Sequence, residues 1–114
     1  MLALLIGSLG NAPACAHAVI VRASLEDTPI KPDTATEATL VFNSKIEAAF
    51  CQVSLLDASG NVRRLEFKAG SSPDRLVVSL PPLAAGAYMI RYKVLAADGH
   101  FTENVLRFKV PASP

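Results

Sequence analysis

The sequence predicts an all-β domain, a Greek-key sandwich or barrel of about seven short strands. Three observations predict it. Apolar and polar residues alternate with a period of two near the C-terminus. Strong turn formers recur roughly every 8–12 residues. No helical period of adequate length competes, since Ala48, Ala49 and Phe50 make at best one turn.

The strands follow in order. Ala18 to Ala23 is the first, with Val19 and Val21 on one face and Ile20 and Arg22 on the other. A turn-rich loop from Glu26 to Asp33 contains Pro29 and Pro32, and it ends that strand. Glu37 to Asn43 is the second, carrying Leu40 and Phe42 on one face. Phe50 to Leu56 is the third, where Val53 and Leu55 alternate with Gln52 and Ser54. Asp57, Ala58, Ser59, Gly60 and Asn61 form a strong hairpin loop, because Asp, Asn and Gly supply turn hydrogen bonds and left-handed backbone. Val62 to Phe67 returns from it, and Arg75 to Leu80 is the fifth strand. In the last two, Tyr88, Ile90, Tyr92 and Val94 alternate with Met89, Arg91 and Lys93, and Leu106, Phe108 and Val110 alternate with Arg107 and Lys109. One apolar and one wetter face is the pattern of an antiparallel sheet packed on one side.

Composition bounds the rest. The 114 residues suit one domain. Hydrophobic residues make up 51% and charged ones 18%, which excludes a disordered chain. With 11 Lys+Arg against 10 Asp+Glu, net charge +1, nothing in the balance supports nucleic-acid binding.

Met1 to Gly10 is an apolar run too short to span a bilayer, which takes about 20 residues. It has the length of a leader's hydrophobic region, and Ala14, Cys15 and Ala16 put small residues where a signal peptidase reads. No Lys or Arg precedes the run. The expectation is a signal peptide over 1–16, cleavage before His17, and an exported mature domain over 17–114. An uncleaved N-terminal strand or tail is the second reading, and acylation at Cys15 is the weakest, because Ala12 stands where a lipobox has Leu. Cleavage leaves Cys51 alone, a small buried hydrophobe in a strand.

The mature chain would then hold two histidines, His17 and His100. A new N-terminal histidine offers its free α-amine and its imidazole Nδ1 to one metal in a six-membered chelate. Reference pKa values near 8 and 6.5 let a strong metal displace both protons at neutral pH. Asp98, one residue from His100 across Gly99, projects to the same side in extended backbone, and Gly99 frees the chain to bend and removes a side chain from the site. Three nitrogens and one carboxylate oxygen form a tetragonal set that favours Cu(II).

These features resemble the CopC/PcoC (YobA-like) copper-resistance domain family. The resemblance rests on His17, on Leu40–Ser44, on Leu80–Tyr88, on Tyr92–His100 and on Leu106–Val110, and it spans residues 17–110. It implies an Ig-like/cupredoxin-like β-sandwich, a periplasmic location, and Cu(II) held by His17, Asp98 and His100. It further implies a copper carrier or buffer in resistance or supply, not an enzyme, working beside a CopD-type membrane copper transporter.

Two positions depart from the family pattern. Many members have a Glu where this chain has Ser44, which supplies no carboxylate. Met-rich Cu(I) sites also have no counterpart, since only Met89 remains once Met1 is removed. Three rival readings are weaker. A histidine-brace copper monooxygenase would share the N-terminal histidine, but Asp98 crowds its oxygen position and the chain has no Trp for a polysaccharide face. A blue-copper carrier would need Cys51, Met89 and both histidines together, with Cys, His and Met drawn from one loop. A metal-free Ig-like module would treat both histidines as incidental.

Overall fold

The computed structural model describes residues 18–112. They form an antiparallel β-sandwich of two four-stranded sheets, in line with the predicted fold class. The strands are β1 (Ile20–Ala23), β2 (Thr36–Phe42), β3 (Gln52–Asp57), β4 (Val62–Arg64), β5 (Phe67–Ala69), β6 (Arg75–Leu80), β7 (Gly86–Leu95) and β8 (Phe101–Val110). One sheet runs β1-β2-β6-β5 and the other β4-β3-β7-β8. The chain therefore crosses between sheets after β2, after β4 and after β6. No helix among the described residues is long and apolar enough to cross a membrane.

Period-two alternation builds the core. Ala38, Leu40 and Phe42 on β2 face inward with Leu76, Val78 and Leu80 on β6. Val53 and Leu55 on β3, with Ile90, Tyr92 and Val94 on β7, close the other side. Phe42 and Tyr92 meet edge-to-face across the sandwich, ring centroids 5.5 Å apart, an arrangement their ring quadrupoles favour. Burial pushes the Tyr92 phenol above its ordinary pKa, and the Ile20 backbone beside it opposes that shift.

Three local readings change. Val62–Phe67 is not one strand: β4 pairs with β3, and after Leu65 and Glu66 the chain enters β5, which pairs with β6 in the other sheet. The two residues at the crossing serve both sheets, for Leu65 N–H donates to Val53 and the Glu66 carbonyl accepts from Ser79 N–H. In β1 a register irregularity between Ile20 and Arg22 shifts the alternation, so Val21 is 59% exposed while Ile20 packs on the core and Ala23 is buried. Finally, Ser24–Asp27 makes a one-turn helix, α1, that takes in Glu26 and Asp27 from the start of the expected loop. Its ends are tied by the Glu26 carboxylate accepting from Ala23 N–H and by Thr28 N–H donating to the Ser24 carbonyl.

Candidate metal centre

β7 and β8 form the longest pairing in the sandwich, from Gly86 opposite Val110 to Leu95 opposite Phe101. The turn closing it runs from Ala96 to His100. Ala96 N–H donates to the His100 carbonyl, and Gly99 N–H donates to the Ala96 carbonyl, both at 2.9 Å. The turn is pinned from outside by the loop after β2. Ala97 N–H donates to Lys45, Glu47 N–H donates to Leu95, and Ile46 bridges to Ala96.

Within this frame Asp98 and His100 meet, though not as extended backbone would bring them together. The Asp98 carboxylate Oδ1 accepts from His100 N–H at 3.0 Å and lies 3.3 Å from His100 Nδ1. That Asx-type bond, rather than strand pleating, gathers the two side chains. It also holds the Asp98 carboxyl below its ordinary pKa; the backbone N–H of His100 is the largest cause, and the His100 side chain adds to it. Gly99 serves differently from the sequence expectation as well. Its φ of +92° is a left-handed conformation, while a Cβ there would meet nothing within 4 Å. The turn needs glycine for its backbone angle, not for space. Both side chains open to solvent, with 44% of Asp98 and 65% of His100 exposed.

His17 lies outside the described residues. What the structure does describe is the next residue. Ala18 is fully buried, and its N–H donates to Thr102 Oγ1 at 3.2 Å. Thr102 stands on β8 two residues after His100. Val19 N–H donates to Asn43 Oδ1 at 3.0 Å, and Asn43 N–H donates back to the Val19 carbonyl at 3.0 Å. Asn43 and Thr102 thus clamp the start of the described chain at the end of the sandwich that carries the Asp98–His100 turn. Sequence reading passed over both. Their hydroxyl and amide join segments far apart in the chain, a link without a local pattern.

Among the described residues no group of three or more His, Cys, Asp or Glu gathers to hold a metal. Asp98 and His100 supply an oxygen and a nitrogen donor, a pair that fits Cu(II) chemistry and requires further ligands from elsewhere. The other sulfur and oxygen candidates stand apart. Cys51 is buried, its thiol donates to the Glu47 carbonyl at 3.4 Å, and burial pushes its pKa up, against thiolate formation. Met89 lies about 20 Å along β7 from Leu95, six residues at roughly 3.4 Å each. Ser44 turns its hydroxyl to the Lys45 carbonyl.

The model of one family, described as the CopC domain, matches residues 20–111. A comparison with curated proteins returns no match. Among solved structures, CopC from Methylosinus trichosporium OB3b is similar over 86% of this chain and 97% of its own, with a TM-score of 0.70 and 28% identity. PcoC from Escherichia coli, a methionine-rich copper resistance protein, is similar over 83% and 99%, with a TM-score of 0.59 and 20% identity. A superoxide reductase (neelaredoxin) from Ignicoccus hospitalis shares the fold at a TM-score of 0.53 and 15% identity, over 91% of this chain and 89% of its own.

Proposed function

The chain belongs to the CopC domain family, and from that premise we propose that it is an exported Cu(II)-binding protein, a periplasmic carrier or buffer in copper resistance or supply. Members of this family are copper-binding resistance proteins rather than enzymes, and binding, not turnover, is the role assigned to this chain. Cleavage of residues 1–16 exposes the His17 amine and imidazole. His17, Asp98 and His100 hold the ion, which is cargo rather than a reagent. A CopD-type membrane copper transporter is the partner to which it passes the ion.

One observation carries this reading. The Ala18 N–H bond to Thr102 Oγ1 anchors the residue after His17 on the strand that directly follows His100. Consecutive Cα atoms are about 3.8 Å apart, so a ligand at position 17 starts within one residue's reach of that anchor. Asp98 and His100, exposed and already in contact, supply the other half.

The test begins with N-terminal sequencing of the exported protein, which should start at His17. Cu(II) titration then compares that protein with a form carrying one extra Met before His17. The extension blocks the α-amine while keeping the imidazole, and affinity should fall on the order of 100-fold, as loss of a chelating donor demands. Equal affinity, or an exported chain starting elsewhere, overturns the reading.

A further inference from the structure

The outer face of the second sheet segregates charge. Register sets Arg64 (β4), Arg91 and Lys93 (β7), and Arg107 and Lys109 (β8) on this face, together with Glu103. Their strand neighbours Val53, Leu55, Ile90 and Tyr92 fill the core, so these side chains point away from it. The face carries five cations and one carboxylate, while the whole chain has a net charge of only +1.

Apolar side chains lie between the cations. Met89 is opposite Leu56 on one side and Arg107 on the other, and Val105 is opposite Arg91. All three apolar residues are half-buried. At one end a groove of about 410 Å³ opens beside Leu56, Ala87 and Met89, with Arg107, Lys109 and Asp57 along it. At the other end Phe101 is half exposed, and the Lys93 ammonium sits 5.0 Å from its ring centroid.

We propose that this face docks on an anionic phospholipid surface. The cations do not converge on one point. Successive outward residues on a strand are about 7 Å apart and neighbouring strands about 4.8 Å apart, so the charges match a plane of phosphates rather than a single anion. Long Lys and Arg stems extend charge toward headgroups while Leu56, Met89 and Phe101 enter the interface between them. The groove beside Met89 receives the upper part of an acyl chain.

Cosedimentation of the full chain with phosphatidylcholine vesicles, with and without added phosphatidylglycerol, tests this. The readout is the ratio of anionic to neutral binding, which cancels any attachment that does not depend on headgroup charge. That ratio should exceed about tenfold at low salt and collapse near 1 M salt, where screening acts within about 3 Å. Each cation held at an anionic leaflet is worth roughly fivefold, so Arg91→Glu with Arg107→Glu should bring the ratio down to near one. Lys31→Glu with Lys68→Glu, the same charge change off this face, should preserve it. A wild-type ratio near one, an equal loss in both double variants, or displacement by inorganic phosphate at constant ionic strength overturns the proposal. The wild-type ratio and its salt dependence decide the matter even where a reversal variant fails to fold.

Discussion

Two hairpin turns in this molecule use one device and reach different chemical ends. Both join neighbouring strands of the same sheet, β3 to β4 at Asp57–Asn61 and β7 to β8 at Ala96–His100. Each has an aspartate accepting from the backbone two residues on and a glycine in left-handed conformation, Gly60 at φ +86° and Gly99 at +92°. At Asp57 the carboxylate is used up inside the loop. Oδ1 accepts from Ser59 N–H and Asn61 N–H, and Oδ2 accepts from the Asn61 amide at 3.0 Å. At Asp98 the backbone takes one bond to Oδ1, and the other close partner is the imidazole of His100. Under the proposed function the second turn can ligate a metal because its carboxylate retains acceptor capacity and its neighbour is a nitrogen donor. The Asn61 amide closes the first turn, and His100 opens the second.

The largest expected effect breaks the comparison by making the second turn as inert as the first. His100→Ala should lower Cu(II) affinity on the order of 100-fold or more, given that outer-shell partners alone cost 10–100-fold. Equilibrium titration against a competing chelator measures it. The melting temperature should barely move, because the side chain is 65% exposed. Affinity within threefold of the parent protein would show that the turn is not the centre.

A smaller effect sharpens the comparison. Asp98→Asn should cost roughly tenfold in Cu(II) affinity. Asp57→Asn should leave affinity unchanged and instead lower the melting temperature by a few degrees, since it weakens three internal bonds. Both carboxyls are held below their ordinary pKa, Asp57 chiefly by the Asn61 side chain and Asp98 chiefly by the His100 backbone N–H. A lowered carboxyl pKa stabilises the fold above the unfolded value near 3.9, and that stability is lost as the pH falls through the folded value. The melting difference between Asp57→Asn and the parent should therefore be complete at neutral pH and close on acidification below about 4.

The same contrast explains what could be read from the residues in order. The alternation in Tyr88–Val94 and Leu106–Val110 is local, and the structure pairs the strands that hold them, with Tyr88 opposite Phe108 and Ile90 opposite Leu106. Asp98 and His100 were also legible, being two residues apart around a glycine. The crossing at Leu65–Glu66 was hidden, because alternation reports which way a side chain points and not which strand accepts its backbone. Apolar residues at Leu65 and Phe67 continue the run from Val62 while the partner changes from β3 to β6. Asn43 and Thr102 were hidden for a similar reason. Asn43 sits at the end of an apolar strand, and only the tertiary pairing with Val19 shows its amide holding the chain start.

The smallest effect separates backbone geometry from chemistry at the site. Gly99→Ala meets no atom within 4 Å, so any cost comes from the positive φ alone. A left-handed non-glycine residue costs roughly 1–2 kcal/mol, and Gly60→Ala, equally free of contacts, should cost the same. Chemical denaturation of the two variants measures both. Cu(II) affinity of Gly99→Ala should fall less than about threefold, because the bond between His100 N–H and Asp98 Oδ1 survives while the hairpin stays closed. A much larger loss of affinity at equal loss of stability would mean that the left-handed angle itself aims the ligands. The turn would then differ from its Asp57 counterpart in backbone as well as in donors.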